Sequence, residues 1–303
     1  FAVGLSYVVV IRSEWPISIF DVNRMWMRKL FGYGSWVSVS SILNPLLDTS
    51  NQLIVGAMLG AAAVANYSIP MTLAVRSQVF ATALARTLFP RNSRVSQAEA
   101  DENTRSATAS LAYGFGMICA PAIFLSGPFL RLWVGPRFAF ESEAVAQIVM
   151  FGAWSNGVAF IPYGFIQARG KPHITAKVGL VEIVPFVLLL WLFISTMGLP
   201  GAAWAWTIRV TVNCGALLWL SGCFNRQVWR LAPALVLMCA ALAIARLMPM
   251  TALVAFCFAI PFGLCFAVLS YKFDPMLREV VLAAARRFGL IQQPVITQSD
   301  TVS

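Results

Sequence analysis

Eight stretches of about twenty residues, each dominated by apolar side chains, follow one another along this chain with only short connections between them. They cover 36–59, 67–89, 107–126, 143–167, 174–197, 201–222, 231–248 and 251–271. At about 1.5 Å of helical rise per residue, roughly twenty apolar residues cross the hydrocarbon core of a bilayer. Backbone inside lipid must satisfy its own hydrogen bonds, and long apolar runs without strict alternation do so as helices. The expected fold is therefore all-α, a polytopic transmembrane helix bundle. Composition agrees: of 303 residues 59% are hydrophobic and 11% charged, whereas soluble domains carry about 25% charged residues.

A net charge of +10 raises the possibility of a nucleic-acid partner, but such binders gather Lys and Arg on one solvated face or arm. Here the cations sit between apolar runs, so no nucleic acid is expected. The segment before the first span holds Arg12, Arg24, Arg28 and Lys29. The connections after the second, fourth and sixth spans hold Arg91, Arg94 and Arg105, then Arg169 and Lys171, then Arg226 and Arg230. The tail adds Lys272, Arg278, Arg286 and Arg287, and the remaining connections hold only Arg131 and Arg137. Cytoplasmic loops accumulate cations and translocated loops do not. Fifteen against two orients the bundle and puts the C-terminus in the cytoplasm.

Residues 1–11, FAVGLSYVVVI, are too few to span and read as the end of a preceding transmembrane segment, so the chain is expected to be the C-terminal part of a longer protein. The expected organisation continues with a cytoplasmic or interfacial segment over 12–35, a six-span lobe over 36–222, two additional spans over 223–271, and a cytoplasmic amphipathic helix with a disordered tail over 272–303. DPMLREVVLAAARRFGL offers Asp274 as an N-cap and Pro275 at the first helical position, then mixes Val and Leu with Arg, as an interfacial helix does. Six scattered cysteines without a CxxC pair, and a single histidine, His173, in the loop ARGKPH, argue against a metal site, and no cofactor is expected. Pro45, Pro70, Pro121, Pro162, Pro185, Pro233 and Pro261 fall inside spans. Each removes a backbone hydrogen bond, and bent helices of this kind suit a transporter.

Several charges stand where lipid tails should be. Arg76, Val79, Ala83 and Arg86 share a stripe in the second span, and Ser41, Asn44, Asp48 and Asn51 share one in the first. The two spans form a hairpin in which Asp48 and Arg76 fall at similar depth, while Arg86 is close enough to the end to snorkel. Arg209 stands inside the sixth span with Asn213 one turn later, and Thr175, Gly179 and Glu182 line a stripe of the fifth. A charge at mid-bilayer costs about 2.5–3.5 kcal/mol and is kept only against a partner or a wet cavity. Two readings follow: Asp48–Arg76 and Glu182–Arg209 are packing ion pairs, or Arg76 and Arg209 line a hydrated cavity for an anion. Trp154, Trp204 and Trp206 offer either sugar stacking or interface anchoring.

The run WVSVSSILNPLLDTSNQLIVGAMLGAAAVANYSIPMTLAVRSQVFATALARTLFPRNSRVS, with LWVGPRFA, YGFIQARGKPHITAK and GLPGAAWAWTIR further on, resembles the bacterial O-antigen and exopolysaccharide flippases of the multidrug/oligosaccharidyl-lipid/polysaccharide exporter (MOP) superfamily. The resemblance implies a MATE-like second lobe plus two extra C-terminal spans in the bacterial inner membrane, its N-terminal lobe missing from this chain. It also implies a non-enzymatic role, the transfer of undecaprenyl-diphosphate-linked oligosaccharide from the cytoplasmic to the periplasmic leaflet. The lipid-linked oligosaccharide and bilayer lipids are the implied partners, together with polysaccharide polymerase and chain-length machinery, and the anionic head falls to cavity arginines. Many members carry Asp-Arg where this chain has Asn51-Gln52, so no role passes to that position. The alternatives are a drug/cation antiporter or lipid II flippase of the same superfamily, and a polytopic membrane enzyme of glycan assembly.

Overall fold

The chain is described by a computed structural model over residues 24–88, 97–222 and 224–273. Residues 1–11, the stretch beginning at Asp274 and the polar tail lie outside the described residues, as do the side chains of Asn44, Asp48 and Arg86. All regular structure among the described residues is helical. The helices are α1 (Arg24–Leu59), α2 (Ala61–Leu88), α3 (Gln97–Trp133), α4 (Pro136–Val158), α5 (Phe160–Ala168), α6 (Pro172–Met197), α7 (Leu199–Leu220), α8 (Phe224–Leu247) and α9 (Ala252–Phe273).

Each of the eight apolar stretches coincides with helix. Five stretches, Asp101–Trp133, Pro136–Ala168, Pro172–Met197, Trp229–Leu247 and Ala252–Lys272, are long and apolar enough to cross a membrane by that measure alone. The chain is a multi-pass membrane protein. α1, α2 and α7 fall outside that set and carry Asn51, Arg76 and Arg209 respectively. α1 runs unbroken from Arg24, so 24–35 extends the helix of the first span. The fourth stretch is divided at Ala159, between α4 and α5. Pro162 has no N–H for the Val158 carbonyl and its ring crowds that oxygen, so the hydrogen-bond ladder lapses there.

Adjacent helices run up and down, and polar contacts join matching ends. At one end, which we call the basic end, Arg169 pairs with Asp101 at 2.5 Å and Arg230 with Glu102 at 3.0 Å. At the other, Arg131 pairs with Glu143 at 3.0 Å, and Asn66 donates to Glu141. Large apolar side chains such as Val181, Val184 and Leu188 of α6 point outward, as a lipid-facing surface requires.

α3 and α4 form the centre. α4 packs on α2 and α7, α7 on α6, and α6 on α1. α9 lies against α3 on the opposite side, where Phe258 stacks on Phe124 with ring centroids 5.6 Å apart. Two glycines allow the close approaches that seat α7. A Cβ on Gly201 would stand 2.0 Å from the Phe193 carbonyl oxygen of α6, and one on Gly152 of α4 would stand 2.5 Å from the Trp206 ring. Trp206 is fully buried there, and Trp154 donates from Nε1 to the Ala112 carbonyl at 2.9 Å. Both indoles are therefore core residues. Their size and a satisfied N–H explain why they serve packing here.

Candidate binding cavity

α6 opens at Pro172 with Thr175, Ala176 and Gly179 in its first two turns. Ala176 and Gly179 present only a methyl group and a hydrogen, and space remains between α6 and α1, α5 and α7. The result is a cavity of about 270 Å³ in the basic-end half of the bundle. Arg209, Asn213 and Leu217 of α7 form one wall; Asn156, Phe160 and Tyr163, around the α4–α5 break, form another. Leu43 of α1 contributes from a third side. Phe160 and Tyr163, just past the lapse at Ala159, line this space.

Arg209 is half-buried on α7, whose neighbours α4 and α6 are both apolar enough to cross a membrane. Its guanidinium carbon lies 5.0 Å from the centroid of the Phe186 ring, a cation–π contact. Glu182, one turn before Phe186 on α6, takes a hydrogen bond from Asn213 Nδ2 to Oε1 at 2.5 Å and has Arg209 as its favourable coulombic neighbour. Oε2 of Glu182 is buried with no hydrogen-bond partner. A guanidinium has five N–H donors in a fixed fork, and Arg209 stands beside Glu182 as a neighbouring charge. The cavity offers a fixed cation, amide groups and two aromatic faces.

The structure thus brings Arg209, Asn213 and Glu182 together. Arg76 lies elsewhere: the stripe Arg76, Val79 and Ala83 is on the exposed face of α2, while Tyr67, Met71, Ala74, Gln78 and Ala81 form its buried face. Asn51 is buried in the α1–α2 hairpin and donates to the Tyr67 hydroxyl. The side chains of Asn44, Asp48 and Arg86 are outside the described residues. Sequence reasoning passed over Asn156, Tyr163 and the buried Gln78 behind Asn156, whereas Thr175 and Gly179 of the stripe read in the fifth span do line the cavity. Asn156 had a signal, since Ser155-Asn156 is a polar pair inside an apolar run, six residues before a proline.

A family model described as polysaccharide biosynthesis protein matches residues 2–134. A Shigella flexneri protein named as an O-antigen transporter is 34% identical over 214 residues, 69% of this chain and 50% of that protein. A Haloferax volcanii protein named as a low-salt glycan biosynthesis flippase is 24% identical over 61% of this chain and 40% of its own length. An uncharacterized membrane protein of Bacillus subtilis is 26% identical over 56% of this chain and 35% of its own. The chain spans about half the length of the first of these relatives and less of the others. No solved structure matches it.

Proposed function

This chain belongs to the polysaccharide flippases of the MOP superfamily, and from that premise we propose that it carries lipid-linked oligosaccharide across the bacterial inner membrane, with Arg209 holding the anionic head. One observation carries the reading: an arginine set deep among apolar helices faces an open cavity. Guanidinium forms bidentate, permanently charged hydrogen bonds to phosphate oxygens, which a lipid diphosphate supplies. The cavity of about 270 Å³ is slightly below the usual range for drug-sized ligands, roughly 300–1,000 Å³. It suits a phosphate with its first sugar rather than a whole oligosaccharide.

On this reading the basic end is cytoplasmic, as the cation count indicates, and the cavity receives substrate from that leaflet. Residues 36–222 act as one lobe and residues 223–271 as an added pair. A first lobe, which the greater length of the relatives makes room for, faces the exposed stripe of α2, where Arg76 becomes a second contact for the anion. A polysaccharide polymerase and chain-length machinery act on the delivered unit. The protein moves its substrate and performs no chemistry on it.

The test is Arg209→Ala in the full-length protein within its native cell. Surface polysaccharide is lost while membrane protein level is retained. Normal polysaccharide at normal protein level refutes the reading.

A further inference from the structure

The orientation of two amides in the cavity wall follows from what stands behind them. Gln78 of α2 is buried and donates from Nε2 to the Ala153 carbonyl at 3.4 Å. A carbonyl oxygen only accepts, so the other end of that amide, Oε1, is the acceptor that Asn156 meets. Asn156 Nδ2 donates to it at 3.2 Å. The nitrogen of Asn156 is thereby held toward α2. Asn213 is fixed in the same sense, because its Nδ2 donates to the Glu182 carboxylate at 2.5 Å, and an ionised carboxylate also only accepts. Amide orientation is set by such networks rather than by shape, since the two ends are nearly isosteric.

Both residues line the cavity with Arg209. Each amide has one nitrogen hydrogen committed in this way, which leaves its oxygen and its second N–H for the cavity beside one cationic donor. A bare oxyanion can use only the donors and leaves both amide oxygens without a hydrogen. The set fits an anion whose neighbour carries hydroxyl donors, the arrangement found in a glycosyl phosphate. Resting on the anion-binding reading of the same cavity, we infer that Asn156 and Asn213 are specificity-determining residues that read sugar hydroxyls next to the phosphate held by Arg209. Gln78 is the positioning residue that sets the Asn156 amide.

Binding to the full chain in nanodiscs is measured by calorimetry with glucose 1-phosphate and with methyl phosphate, a monoester of similar charge without hydroxyls. Glucose 1-phosphate binds more tightly. Asn156→Leu and Asn213→Leu each reduce that preference about fivefold, the worth of one ordinary hydrogen bond. Gln78→Met, which touches no ligand, lowers the same ratio by freeing the Asn156 amide to turn; a purely structural role for Gln78 would not move it. It also stands in for Asn156→Leu if that variant does not fold. Equal binding of the two probes to the unsubstituted chain, or a ratio unchanged in these variants, overturns the inference. Loss of both probes in Arg209→Ala with an unchanged ratio in the amide variants overturns it alone; retention of both in Arg209→Ala overturns the anion reading on which it rests.

Discussion

Arg209→Met, alone and combined with Glu182→Gln, separates what the guanidinium does for the bundle from what it does for a ligand. Methionine keeps an unbranched stem against Phe186 but removes the charge, so Glu182 is left with Asn213 as its hydrogen-bond donor. An exposed ion pair contributes up to about 1 kcal/mol, and breaking a fully buried one costs about 3–5 kcal/mol. Both side chains here are half-buried and Arg209 acts on Glu182 as a neighbouring charge, so a loss of about 1 kcal/mol is expected, to which the ring contact adds about 0.5–1 kcal/mol. Glu182→Gln removes the stranded charge while its side-chain oxygen still accepts from Asn213. Thermal melts of the full chain in nanodiscs therefore show Arg209→Met destabilised and the double variant restored to within about 1 kcal/mol of the parent, the size of the ring contact that stays lost. Surface polysaccharide behaves differently. Two charge-assisted hydrogen bonds to phosphate contribute about 1.5–3 kcal/mol each, so substrate affinity falls at least about a hundredfold in both variants and export does not return. A double variant that regains stability and polysaccharide together would show that Arg209 serves only Glu182.

Three further outcomes test the packing and the exposed stripe. Gly201→Ala drives a methyl group into the Phe193 carbonyl, 2.0 Å away, and lowers stability by about 1–3 kcal/mol in the same melts, whereas Gly179→Ala meets nothing closer than Leu43 at 3.9 Å and raises stability by about 0.5–1 kcal/mol. Arg76→Ala, on an exposed face, shifts stability by less than about 0.5 kcal/mol yet lowers surface polysaccharide in the full-length protein. Pro162→Ala returns an N–H to the Val158 carbonyl, and hydrogen exchange across 158–163 slows as the ladder closes.

The helices were readable because each lipid-crossing run must be apolar for its whole length, and a twenty-residue window averages over local ambiguity. Their ends were less so: α1 continues back to Arg24 and α3 begins at Gln97, since turns beyond the hydrocarbon core owe nothing to hydropathy. Arg209, Asn213 and Glu182 announced themselves as polar groups in apolar surroundings. Their meeting is a matter of helix neighbours, which periodicity leaves open. The same limit applies to Arg76, whose stripe is real but lies on the exposed face of α2, because Tyr67, Ala74 and Ala81 fill the side toward α4. Gln78 is hidden by its neutrality. Only a tertiary partner, Asn156 from a helix some eighty residues away, reveals what its oxygen is for.

One missing amide hydrogen at Pro162 has a mechanical result. α5 is a nine-residue rod, jointed to α4 at Ala159 and latched at its far end, where Arg169 grips Asp101. Tyr163 on its cavity side and Arg169 at its far end belong to the same short rod, so any displacement of α5 would alter the cavity and that ion pair together.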